Sequence, residues 1–124
     1  MKFGFDLDGT LDHPAVVALA NALCNDIEAG HEVHVITVGR LNCAGYETTR
    51  EAKIEKLNRL GVSYHYLVLV GGDTFEEAGR RKAEYIQDHE LDLMIDDSST
   101  FVKEIALGTD VPVLHLKQRS TYAR

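Results

Sequence analysis

Cysteine, proline and net positive charge are all in short supply in this chain, and each shortage excludes something. The two cysteines, Cys24 and Cys43, build no disulfide framework and point to a reducing compartment. Only two prolines punctuate the chain, and no internal repeat, low-complexity segment or linker divides it. The 13 lysines and arginines against 20 aspartates and glutamates give a net charge of −7, without the basic field that a broad nucleic-acid surface needs. The longest nearly uncharged apolar stretch, Ala15–Leu23, is far too short to span a bilayer. Met1-Lys2 leads straight into a strand that holds two acids, which does not read as a signal peptide. The six histidines are scattered and show no metal-binding spacing such as HxxxH. These exclusions leave a cytoplasmic enzyme or binding domain with no membrane partner. With 44% hydrophobic residues, the expectation is a single domain over residues 1–124.

What is present alternates between strand and helix. Apolar or β-branched runs at Lys2–Leu7, Glu32–Val38, Tyr64–Val70, Leu91–Ile95 and Val111–Leu116 predict about five buried strands. Between them, helices are expected over Ala15–Ala29, Glu47–Leu60, Glu76–His89 and from Ser98 or Ser99 through Leu107. Lys117–Arg124 reads as a polar tail. Buried strands separated by single helices predict an α/β fold, a Rossmann-like doubly wound parallel sheet flanked by helices. Such sheets bind ligands at the carboxyl ends of their strands.

The polar residues gather at those ends. The first strand runs into Asp6-Leu7-Asp8, the second through Thr37 into Gly39-Arg40, and the fourth into Asp96-Asp97. Four carboxylates on one rim repel one another unless a positive charge joins them. An all-oxygen ligand set suits a hard cation, with Mg2+ the expected cofactor. Asp6 and Asp97 are the expected direct ligands, with Asp96 close by or acting through water, and paired acids can exchange these roles. Asp8 completes the metal set through its backbone carbonyl. Its side chain, left in an acidic neighbourhood, is expected to have a raised pKa and to hold a proton.

The segment FDLDGTL resembles the first motif, DxDGT, of the haloacid dehalogenase-like superfamily of phosphohydrolases. Thr37 ending VITV, Lys82 in GRRKAEY and Asp96-Asp97 in LMIDDS are similar to that family's later motifs, in order. The resemblance implies a Mg2+-dependent phosphatase in which Asp6 attacks phosphorus and forms an aspartyl-phosphate. Asp8 would then move protons, Thr37 would donate a hydrogen bond to the phosphoryl group, and Lys82 would offset charge. Lys53 and Lys103 are alternatives to Lys82. Gly9 would permit the tight departure from the strand, and Thr10 would supply a hydroxyl that orients the acids.

The spacing between the motifs leaves no room for a cap domain. The site is expected to be open, or closed only by the loops Gly39–Tyr46 and Gly71–Phe75 or by a second subunit. Arg40 is placed to touch a phosphate or a substrate anion. The layout is also similar to the phosphatase domain of polynucleotide kinase–phosphatases, so the expected substrates are a phosphorylated small molecule, a sugar phosphate or nucleotide, or a phosphorylated nucleic-acid end. A non-catalytic phosphate-binding or regulatory module with a receiver-like acidic site is the alternative function.

Overall fold

The computed structural model describes residues 1–117, so all of the expected polar tail except Lys117 lies outside them. Ten elements follow one another along the chain. They are β1 (Lys2–Phe5), α1 (Pro14–Asn25), β2 (Glu32–Leu41), β3 (Tyr46–Glu47), α2 (Arg50–Leu60), β4 (Tyr66–Gly72), α3 (Phe75–Asp88), β5 (Leu93–Asp96), α4 (Ser99–Gly108) and β6 (Val113–His115). The sheet has six strands. Five of them, in the order β4-β2-β1-β5-β6, are parallel, and β3 alone pairs antiparallel, with β2. The expected doubly wound α/β architecture is thus present. The chain reverses direction across the sheet between β1 and β5, the point where such folds open a crevice.

Strand alternation divides the core in two. Phe5, Val33, Val35, Leu67 and Ile95 face Ala20 of α1 and Leu57 of α2. Ile36 and Met94, one residue out of phase, face Ala83 and Ile86 of α3 and Ile105 of α4. Gly4 allows this second layer to close on β1, since a Cβ there would lie 2.7 Å from the Met94 sulfur.

The helix starts follow local chemistry. The hydroxyls of Thr49, Thr74 and Ser98 accept hydrogen bonds from the backbone N–H groups of Ala52, Glu77 and Phe101, capping α2, α3 and α4. Pro14 opens α1. The end of α1 differs from the expected Ala29. The helix stops at Asn25 because the Asp26 side chain accepts from the Ala29 N–H at 3.2 Å, a local turn that competes with the helical ladder.

Two further differences shape the site. β1 ends at Phe5 rather than Leu7, and the chain then turns through Leu7–Leu11 with Gly9 at φ 83°. β2 continues past Val38 to Leu41. β4 holds one edge of β2 as far as Gly72. The short strand β3 therefore takes the other edge, which β1 has vacated, pairing Arg40 with Glu47 and Leu41 with Tyr46. No helix among the described residues is long and apolar enough to cross a membrane.

Candidate functional site: an acid and lysine cluster at the switch point

The tip of β1 and the end of β5 lie side by side, tied by the Asp6 N–H donating to the Ile95 carbonyl at 3.0 Å. This brings Asp6, Asp96 and Asp97 together with one carboxylate oxygen from each within 4.8 Å of the others. Lys82 reaches up from α3, wholly buried. It donates to Asp6 at 2.8 Å and to Asp96 at 2.9 Å, with its ammonium 4.3 Å from the centre of the Phe101 ring. The Thr10 hydroxyl stands 3.4 Å from both Asp6 and Asp97. Asp96 also accepts from the Ser98 N–H at 3.0 Å.

Gly9 is required here for two reasons. Its positive φ is costly for any other residue, and a Cβ would fall 2.1 Å from an Asp97 oxygen.

Electrostatics differ sharply over this small distance. Burial raises the pKa of Asp6, Lys82 pulls it down and Asp96 pushes it up again, with an outcome of about 7. Burial alone would lower the pKa of Lys82, but the two carboxylates outweigh it and hold the ammonium above its ordinary value. Asp8 takes different partners. Its oxygens accept from Lys53 at 2.6 Å and Lys56 at 2.7 Å, both on α2, and Lys53 also donates to the Tyr46 hydroxyl at 2.9 Å. Partial burial opposes ionisation of Asp8, but the two lysines win and hold its carboxyl below the usual value. The expectation that Asp8 stores a proton is therefore reversed. Asp8 is also absent from the close carboxylate group, which holds Asp6, Asp96 and Asp97 alone among the described residues.

The other expected residues divide. Thr37 is fully buried on β2, and its hydroxyl is the one buried side-chain polar atom without a hydrogen-bond partner among the described residues. Arg40 is exposed and lines a separate groove with Gly71, Glu77 and Arg81. Gly39 has a packing role: a Cβ there would approach Leu69 to 2.9 Å, and its carbonyl accepts from the Thr48 N–H at 2.8 Å. Sequence reasoning named Lys53 only as a substitute for Lys82 and missed Lys56 and Tyr46. The i, i+3 spacing of Lys53 and Lys56 on one helix face was the available signal. A cavity of about 240 Å³ opens over the cluster, with Asp6, Asp8, Asp97 and Ser98 as its polar floor.

No profile of a known protein family matches the chain, and no curated protein matches it. Among solved structures, it is similar to a protein from the universal stress protein family from Burkholderia pseudomallei. The two share 17% identity, with 94% of this chain and 96% of that one covered and a TM-score of 0.52. At that identity the likeness establishes the fold, a Rossmann-like α/β sheet.

The finding corrects the family reading. The structural relative is a universal stress protein and not a haloacid dehalogenase-like phosphohydrolase, so that membership falls, along with the layout shared with polynucleotide kinase–phosphatases. The assignments of hydrolase, Mg2+-dependent phosphatase and aspartyl-phosphate chemistry fall with it.

Proposed function

We propose that this chain is a binding module that takes up a divalent cation and, through it, a phosphate-bearing small molecule, without covalent turnover. The observation that carries this reading is the convergence of Asp6, Asp96 and Asp97 around a single buried lysine. Three carboxylates against one ammonium leave excess negative charge in a poorly solvated place, and the donors are all oxygen, the set that suits Mg2+ or another hard cation. Asp6, Asp96 and Asp97 would hold the cation, which supplies the positive charge that a phosphoryl group requires beside so many acids.

The chain's own residues prepare the remainder. The first turn of α4 opens at Ser98, which lines the cavity, and its dipole favours an anion there. Lys53 and Lys56 add positive charge at the rim while keeping Asp8 occupied. Lys82 spaces Asp6 from Asp96 and limits their repulsion.

Titration calorimetry tests the reading. Mg2+ is expected to bind the full chain, Asp97→Asn to weaken it by about tenfold or more, and inorganic phosphate to bind only when the cation is present. A chain that takes up neither Mg2+, Mn2+ nor Ca2+ at millimolar concentration would overturn it.

A further inference from the structure

Resting on that reading, we infer that the phosphate-bearing ligand has a single aromatic ring as its body. Beside the acids, the cavity is lined by Val38 and Leu41 from the end of β2, Tyr46 from β3, Phe75 from the start of α3, and Phe101 from α4. None of these offers a sugar ring the several hydroxyl partners it needs, so burying a polyol there would leave polar groups unpaired. A flat apolar body loses nothing.

Two of the aromatic walls are held at the mouth, where burial does not account for them. Phe75 is 45% exposed and Tyr46 is 38% exposed. Phe75 stands 6.4 Å from Phe101, centre to centre, with the rings tilted by 39°. The two rings pack against each other, and the exposed part of Phe75 is the ring surface left for a ligand. At about 240 Å³ the cavity has room for one ring beside the acids.

Acids beneath aromatic rings also describe an ammonium cage, but that role is already filled from within. The Lys53 ammonium lies 5.4 Å from the centre of the Tyr46 ring, and Lys82 covers Phe101. A ligand cation would have to displace one or the other.

Calorimetry with phenyl phosphate, glycerol 3-phosphate, inorganic phosphate and benzylamine decides the matter, each titrated into the full chain with and without Mg2+. Phenyl phosphate with Mg2+ is expected to bind about tenfold tighter than glycerol 3-phosphate. Phe75→Ala should bring that ratio toward one while the affinities for Mg2+ and inorganic phosphate stay as they were, and Tyr46→Ala should lower the ratio as well. Tyr46→Phe keeps the ring and should keep the ratio. Equal binding of the two esters in a chain that binds Mg2+ and phosphate would overturn this inference and leave the binding reading standing. Failure to take up any cation removes both. Tight benzylamine binding without metal would overturn the aromatic phosphate in favour of an ammonium ligand.

Discussion

Asp6 and Asp8 leave the same strand tip, two residues apart, and finish in opposite surroundings. Asp6 is buried on the side of the sheet covered by α3 and α4, where its partner is Lys82 of α3. Asp8 stays half open to water and takes its lysines, Lys53 and Lys56, from α2, which packs on the other side. The tip straddles the sheet, and each acid draws its counter-charge from the helix layer on its own side. The difference shows that the role of a carboxylate here is set by the layer it meets, not by the motif it belongs to. One acid is held close to neutrality, the other is held ionised.

The strongest way to break this contrast is to remove the inner lysine. Lys82→Met strands Asp6 and Asp96 in the core, and the expected cost is about 3–5 kcal/mol in urea denaturation. Adding Asp96→Asn to that variant should recover part of the loss.

Next comes the pH response of Asp6. The unfolded chain releases this proton near pH 3.8, whereas the folded chain keeps it up to about 7, in the company of Lys82, Asp96 and Asp97. The folded state thus binds more protons across that window, so stability contributed by Asp6 declines as pH rises through it and is flat above. Urea midpoints followed across the window should lose that component of slope in Asp6→Asn, and an unchanged profile would contradict the assignment.

Gly9→Ala is expected to cost about 1–3 kcal/mol, because it combines an unfavourable φ with a collision against Asp97. It should also weaken Mg2+ uptake, read by calorimetry.

The smallest effect belongs to the outer group. Lys53→Met should cost about 1 kcal/mol or less through the lost ion pair, since water still reaches Asp8. Asp8 shows the reverse pH sign: the stability it contributes is present above its ordinary pKa of about 4 and is lost as pH falls below it. Acid unfolding of Asp8→Asn should start from a lower plateau and fall less.

Much of this arrangement was legible in the sequence because acids at the ends of parallel strands fall on one edge of the sheet. Asp6, Asp96, Asp97 and Lys82 meet as their positions predicted, and Gly9 stands where only glycine fits. The family was not legible for the same reason. A doubly wound sheet collects polar residues at its carboxyl edge whatever its ancestry, so motif order alone does not separate one lineage from another. The site's rim was hidden by a different cause. β3 is two residues long, carries no periodic signal, and forms only because β1 stops short. Tyr46 accordingly read as loop, and its contact with Lys53 depends on a pairing that no local pattern announces.

That early stop of β1 has one more consequence. β2 runs on from Val35, the partner of Phe5, to Leu41 with no parallel neighbour on that side, so the sheet has a step in it. The cavity is the space over that step, with the shorter strand's acids as its base and the longer strand's Val38 and Leu41 as its riser. A hollow can therefore be made by subtraction, through two adjacent strands of unequal length.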